Sequence, residues 1–242
     1  KVKSDESISA VLREMNFNAI SIGKAGNGPL IELGALKEYG KHLKPKIVLW
    51  LYYVNDLNEL SKEIESPILR KYLEEDDYSQ NLFLRQLEID EVLKNYVNNE
   101  WKTILLEKEK ERKRLRRINT LKLTEIRKII NLKPASISTP SPIFKDILQE
   151  ANKTVNSWNG KLYVVYLPAL KRYSTNNTHS NRKFVVKTIN KLDIPIIDIH
   201  TEVFENHNDP LSLFAFRLPY RYNAEGYRLV GNAIGERLEK DK

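Results

Sequence analysis

The sequence predicts an α/β protein, built as a three-layer, doubly wound parallel sheet that carries a large helical insert. Short, continuous apolar runs such as IVLWLYYV alternate along the chain with segments whose apolar residues recur at helical spacing. Continuous apolar runs are typical of strands that are buried on both faces of a parallel sheet. Because helical patterns separate these runs, parallel pairing with helices on both faces is favoured.

Four apolar runs are predicted as strands: Ala19–Ile22, Ile47–Tyr53, Leu162–Pro168 and Ile194–His200. Helical spacing of apolar residues between and around them predicts helices at Glu6–Met15, Leu30–His42, Phe144–Trp158 and Ala224–Leu238. With 242 residues, 41% of them apolar, the chain is long enough to bury one good core.

A long charged segment interrupts this alternation. It contains no strand-like run and ends at the breaker cluster LKPASISTPSP, which holds three prolines. We therefore predict an α/β domain made of residues 1–57 and 142–242, and an inserted helical subdomain at 58–141.

The net charge of +8 is concentrated in the insert, because residues 100–133 hold twelve basic and five acidic residues. Opposite charges recur three and four residues apart in EKEKERKRLRR, which is typical of a solvated helix, although a lid or a contact with an anionic partner stays open. Trp101 is the one aromatic residue beside the basic run, so specific nucleic-acid binding has little support. No run of about 18 apolar residues exists, so no membrane span is predicted.

The chain has no cysteine. Disulfides, cysteine-bound zinc and a thiol nucleophile are therefore excluded for these residues. The cellular compartment stays open, because proteins without disulfides occur in every compartment.

Polar and glycine residues follow the first two predicted strands. The loop with Gly23, Gly26 and Gly28 follows Ala19–Ile22, and Asn55 follows Ile47–Tyr53. Ligands of open parallel sheets bind at the carboxyl ends of strands. Backbone N–H groups of the glycine loop and the amide of Asn55 would together form an oxyanion hole. An ordinary strand-to-helix turn, which also needs small residues, is the alternative.

These segments resemble the motifs of the SGNH (GDSL-type) hydrolases. Gly26 matches the oxyanion glycine of that family's second motif, and Asn55 matches the asparagine of its third, with Val54 in place of the usual glycine. In the last motif, RYNAEGY, Asn223 and Gly226 match. The resemblance implies the flavodoxin-like SGNH fold, ester hydrolysis of a small-molecule or glycan ester, often an acyl or acetyl group on carbohydrate or lipid, and no need for a cofactor or metal.

The chain departs from the family pattern at the catalytic base. Arg221 stands at the position of the family's histidine, and Leu218 stands where the acid is usual. Asp209 is the candidate acid that would orient a base, with a turn at Asp-Pro as the alternative. Arg221 is either a consequence of lost activity or a donor that binds an anion, and Asp198 is its candidate counter-ion.

The motif with the serine nucleophile, G-D-S, is absent from the sequence. Since Lys1 opens directly on what resembles the following helix, we expect a strand with this motif upstream; the alternative is a protein that never had the nucleophile. As written, the chain is predicted to be inactive by the serine mechanism. A non-catalytic binding or assembly module with the same fold is the second hypothesis, and a nucleotide-binding flavodoxin-like protein, without a phosphate-loop fingerprint, is the third.

Overall fold

The computed structural model describes residues 3–118, 142–174, 181–219 and 221–241, with the side chains of 108–118 left out of the description. The chain divides into two compact units. The first comprises Lys1–Ser79 and Ser138–Lys242, and the second comprises Gln80–Ile137. The sheet lies in the first unit.

Three parallel strands form the sheet of the first unit. They are β1 (Ile47–Tyr53), β2 (Lys161–Leu167) and β3 (Ile196–Asp198), in the spatial order β1-β2-β3. Trp50 of β1 pairs with Val164 of β2, which pairs with Ile196 of β3. The protein is therefore mixed α/β, with a small parallel sheet and predominantly helical surroundings. These strands show no reversal of order, so the doubly wound topology stays a prediction.

The prediction of a strand at Ala19–Ile22 is wrong. This segment is extended but unpaired, and the side chains of Ile20 and Ile22 are 65% and 46% exposed. Within the described residues, the edge of β1 that faces away from β2 carries no strand either. A strand exists only where a neighbour completes its backbone hydrogen bonds, and Ala19–Ile22 has no such neighbour here.

The helices of the first unit pack on both faces of the sheet. Their bounds are α1 (Ile8–Glu14), α2 (Pro29–Ala35), α3 (Lys41–Leu43), α4 (Asp56–Glu63), α5 (Pro67–Glu74), α7 (Ile143–Asn156), α8 (Lys171–Ser174), α9 (Asn181–Asn190) and α10 (Ala224–Lys240); α6 (Gln86–Ile118) belongs to the second unit. A π-helical turn, Leu36–Gly40, joins α2 to α3. A second π-helical turn lies at His200–Phe204, and shorter 3-10 turns lie at Ser4–Glu6, Pro210–Leu213 and Ala215–Arg217.

Alternate side chains of β2 enter two separate cores, because successive residues of a strand point to opposite faces. Val164 packs with α2, α7 and α9 in one core, and Val165 packs with α1 and α10 in the other. The helices α7 and α9, which connect the three strands, lie on the same face, as right-handed crossovers running in one direction across a sheet require. The opposite face is covered by the first and last long helices of the unit.

Close packing joins those two helices. A Cβ atom at Gly231 of α10 would lie 2.7 Å from Val11 of α1, which is closer than real contacts allow. Glycine at position 231 therefore permits the approach that closes this face.

The predicted insert begins later than expected. Residues 58–79, which we assigned to the insert, belong to the compact α/β unit. Leu60 of α4 and Tyr72 of α5 are buried in the same core as Val164. The sequence prediction missed the apolar faces of α4 and α5, because many charged residues lie between their apolar ones. The second unit contains α6, a helix of 33 residues and about 50 Å in length; the rest of the predicted insert, residues 119–141, lies outside the described residues.

None of the helices described here combines the length and the hydrophobicity that crossing a membrane requires.

Candidate functional site

The turn after β1 is held by a buried carboxylate. The backbone N–H of Tyr53 donates to Asp56 Oδ2 at 2.8 Å, and Asp56 is 4% exposed. This bond closes the passage from the strand into α4, with Asn55 between the two. The Asn55 side chain is half-buried and makes no hydrogen bond within the part of the chain that the structure describes. Its amide is therefore available to a ligand at the carboxyl end of the sheet.

The end of the glycine loop is hydrogen-bonded to α4, the helix that follows Asn55. The backbone N–H groups of Gly28 and Leu30 donate to the Glu63 carboxylate at 2.6 and 2.9 Å, so Glu63 caps the N-terminus of α2. Gly26, earlier in the loop, is exposed and has φ = +88°, a conformation that favours glycine. A Cβ atom there would meet no other atom within 4 Å. Backbone conformation, rather than crowding, therefore requires the glycine.

A small group of carboxylates lies beneath this loop. Burial raises the pKa of Glu32 and of Asp56 well above their ordinary values, and the negative charge of Glu63 raises both further. Burial also raises the pKa of Glu63, although its backbone hydrogen bonds oppose this. Glu32 and Glu63 were not among the residues that we singled out from the sequence. A signal was present, because Asp56, Leu60 and Glu63 fall on one face of α4 at helical spacing.

The last motif is held to the sheet by its tyrosine and its asparagine. The Tyr222 hydroxyl donates to the backbone oxygen of Pro168 at 2.6 Å, just beyond the end of β2. Asn223 caps α10, because its Oδ1 accepts the N–H of Gly226 at 2.9 Å. The two positions that match the family motif thus have structural roles in starting the helix.

Arg221 is exposed, and its guanidinium has no ion pair or hydrogen bond among the described residues. Its charge acts on the phenol of Tyr227, whose pKa is raised by burial and lowered by Arg221. Burial, together with Tyr227, raises the pKa of Tyr53 to about 12. The charge of Arg221 thus acts on the pKa of Tyr227, and Tyr227 in turn acts on the pKa of Tyr53, two residues before Asn55.

Asp209 is paired with an arginine of its own loop. Its carboxylate forms an exposed ion pair with Arg217, and its backbone N–H donates to His207 Nδ1 at 3.1 Å. Phe216 and Arg217 both have positive φ, which turns the Arg217 side chain back toward Asp209. No contact between Asp209 and Arg221 appears among the described residues. The role of Asp209 as orienting acid stays a prediction.

A second polar cluster lies beyond β2 and β3. Asp198, at the end of β3, forms an ion pair with Arg182 of α9 and accepts the backbone N–H of His200 at 3.1 Å. The partner of Asp198 is thus Arg182, rather than the Arg221 suggested by the sequence. The Tyr173 hydroxyl lies 2.9 Å from His200 Nδ1. Burial, and then the charge of Arg172, lower the pKa of His200, so this imidazole is neutral at pH 7.

Sequence reasoning did not find this cluster. His200 and Asp198 were visible at a strand end, but their partners come from α8 and α9, at a distance in the chain that no local pattern reveals. Within the described ranges, no group of three or more histidine and acidic side chains is arranged to hold a metal ion.

Comparison of the chain with protein-family models, with curated proteins and with solved structures finds no match.

Among the described residues of the candidate site, the groups open to a ligand are hydrogen-bond donors. The Asn55 amide and the Arg221 guanidinium are free to donate, and His200 is bonded to a phenol instead of a serine. Such an edge can bind and polarise a carbonyl, carboxylate or phosphate group.

Proposed function

We propose that this chain is the scaffold of an SGNH (GDSL-type) hydrolase that acts on a small-molecule or glycan ester. In this proposal, Asn55 and the backbone around Gly26 stabilise the oxyanion of the acyl-transfer transition state. The domain would have the flavodoxin-like, doubly wound fold of that family. The proposal rests on the family resemblance of the two loops and on one structural observation.

That observation is the open edge of β1. β1 has no neighbour on one side within the described residues, and Ala19–Ile22 is extended, apolar and unpaired. One additional parallel strand beside β1 would complete its backbone hydrogen bonds. In this proposal, the added strand lies between β1 and Ala19–Ile22, and its carboxyl end lies between the Gly26 loop and Asn55. A serine at this end would be placed between the two proposed oxyanion donors.

The chain lacks a general base at the position where the family has its histidine. Arg221 cannot serve as a general base, because a guanidinium stays protonated in proteins. The 242 residues by themselves should therefore hydrolyse a short-chain chromogenic ester no faster than background. Joining them to an upstream segment with the G-D-S turn, together with Arg221→His, should give measurable turnover if Asp209 or a neighbour orients the imidazole.

Asn55→Ala in the active form tests the oxyanion role. Loss of one oxyanion donor should lower kcat by about 100- to 1,000-fold. The matched control is Asn58→Ala, one turn later on α4, which should change kcat less than about twofold. Equal activity of the Asn55 and Asn58 variants would contradict the assignment, and strong activity of the unextended chain would move the site elsewhere.

A non-catalytic binding module is the second candidate. It is favoured by Arg221, an exposed cation without a partner among the described residues, at the position of the family's base. Such a guanidinium binds a carboxylate, sulfate or phosphate group with two hydrogen bonds. Titration calorimetry of the chain with anionic oligosaccharides should then show binding that Arg221→Ala abolishes. Arg228→Ala, in an exposed pair with Glu225, is the control that should retain it.

A further inference from the structure

The long helix α6 carries an apolar side that is exposed to solvent. Six apolar residues lie on one half of the helix: Val92, Leu93, Tyr96, Val97, Trp101 and Ile104. Each of them is between 37% and 61% exposed. We call these residues the α6 seam. It is about 18 Å long. Leu87, Leu105 and Leu106 are also exposed but lie off the seam.

A seam of this kind requires a partner. Long polar helices obtain most of their stability from packing of an apolar face, and the seam contains two large aromatic residues. Contiguous apolar surface rimmed by charge is typical of a protein–protein interface. The ends of the helix indicate which partner fits.

Charge divides α6 into two unlike halves. Residues 86–101 hold four acidic residues and one lysine, a net charge of −3. Residues 102–118 hold eight basic and three acidic residues, a net charge of +5. Two α6 helices side by side in parallel would place the two basic halves together, which repels. In an antiparallel arrangement centred near Val97, residues 86–92 of each helix (net charge −3) lie beside residues 102–108 of the other (net charge +1), and the two basic ends point away from each other.

We propose that α6 pairs with α6 of a second copy of this chain, antiparallel and centred near Val97. The two seams then form a self-complementary interface with two-fold symmetry. A residue that precedes Val97 by a given number of positions faces the residue that follows Val97 by the same number in the other copy. Val97 lies opposite the partner's Val97. Leu93 of each helix lies opposite the partner's Trp101.

The absence of cysteine from the sequence allows a direct geometric test. A single Val97→Cys variant of the full chain should form a disulfide dimer in mild oxidant. Leu93→Cys alone should not, because the two sulfur-bearing positions are then separated by about 12 Å along the helices, beyond the roughly 7 Å reach between Cα atoms. An equal mixture of Leu93→Cys and Trp101→Cys should link to each other. Asn98→Cys, next to Val97 but on the polar side, is the matched control that should stay unlinked.

Each alternative arrangement gives another pattern. A parallel pair would link Val97→Cys and Leu93→Cys each to itself and would not link the mixture, which overturns the proposal. Failure of Val97→Cys and of the mixture to link also overturns it.

Light scattering of the chain without substitutions is the second, independent measurement. The expected mass is twice that of one chain. Val97→Lys, which buries a cation at the centre of symmetry, should weaken association at least about tenfold, and Asn98→Lys should leave it unchanged. Circular dichroism shows whether each variant keeps its helix content. A monomer at all concentrations tested, with the seam covered by another part of the same chain or by a different partner, overturns the proposal.

Discussion

Two strands of this sheet end near an aspartate, and the two carboxylates have opposite environments. Asp56, just after β1, is buried, accepts one backbone N–H and lies among other acids. Asp198, at the end of β3, is paired with Arg182 and accepts the N–H of His200. The first carboxylate organises the backbone without a cation, whereas the second is neutralised by one.

The comparison shows that the same residue at the same edge of a sheet can serve two purposes. At β1, carboxylates hold the strand, the glycine loop and α4 together and leave the Asn55 amide free. At β3, the charges cancel each other and link a crossover helix to the strand. We expect the two ends to respond differently to mutation and to pH.

The largest effect is expected from Glu63→Ala, at the β1 end. The substitution leaves the buried N–H groups of Gly28 and Leu30 without an acceptor, so the free energy of unfolding should fall by about 2–4 kcal/mol. Urea denaturation measures this, and hydrogen exchange should become faster at the same two amides. Glu65→Ala, exposed just after α4, should change stability by less than about 0.5 kcal/mol. Equal losses in the two variants would mean that the cap contributes little.

At the β3 end, Arg182→Leu should cost about 1–2 kcal/mol, because Asp198 is then partly buried without its cation. Adding Asp198→Asn should recover part of this loss, and the double-mutant cycle measures the coupling between the two charges. Lys183→Leu, an exposed neighbour on α9, is the control and should be close to neutral. If the two single losses simply add, Asp198 and Arg182 are not energetically coupled.

We also expect the stability contributed at the β1 end to depend on pH. Burial raises the folded-state pKa of Asp56, so the folded protein keeps a proton that the unfolded chain releases. Its contribution to stability is therefore greatest in acid and falls as pH rises from about 4. Asp56→Asn, whose amide oxygen can still accept the N–H of Tyr53, should flatten the dependence of unfolding free energy on pH above about pH 4. Asp76→Asn, which replaces an exposed acid whose pKa is lowered by Lys153, should not flatten it.

The smallest effect is expected from Tyr173→Phe. Loss of one hydrogen bond to His200 should cost about 0.5–1 kcal/mol. A phenol that donates to Nδ1 stabilises the neutral imidazole, so its removal should move the pKa of His200 up toward its ordinary value. Titration of the His200 ring protons by NMR measures this. An unchanged His200 titration would show that burial and Arg172 alone set its pKa.

The sequence predicted what is local and missed what depends on a distant neighbour. Ile47–Tyr53 was predicted to the residue, because its apolar run needs no further context. Ala19–Ile22 has the composition of a strand, but a strand also needs an adjacent backbone, which composition does not supply. Glu63 was missed for a related reason: its spacing with Leu60 indicates an inward face of α4, but not the three N–H groups of a distant segment that this carboxylate accepts.

At the candidate site, the position of Asn55 directly after β1 followed from the alternation of strands and helices, whereas Gly26 follows an unpaired segment instead of the strand that we predicted. The partners of Asp198 and Asp209 did not. Each pairs with an arginine that the fold brings back, Arg182 from a crossover helix and Arg217 from a tight turn. Neither pairing has a signature in local spacing.

The packing of α1 against α10 has a consequence for synthesis of the protein. Ala224 follows Glu14 by 210 residues, so α1 leaves the ribosome roughly 10 to 40 s before its partner has been made. Throughout that interval, Val11 and Leu12 on α1 and the inner residues of one sheet face stay open to water. The core on the side of α7 and α9 can be completed once Ile194 has been made, whereas the face shared by α1 and α10 must wait for the end of the chain.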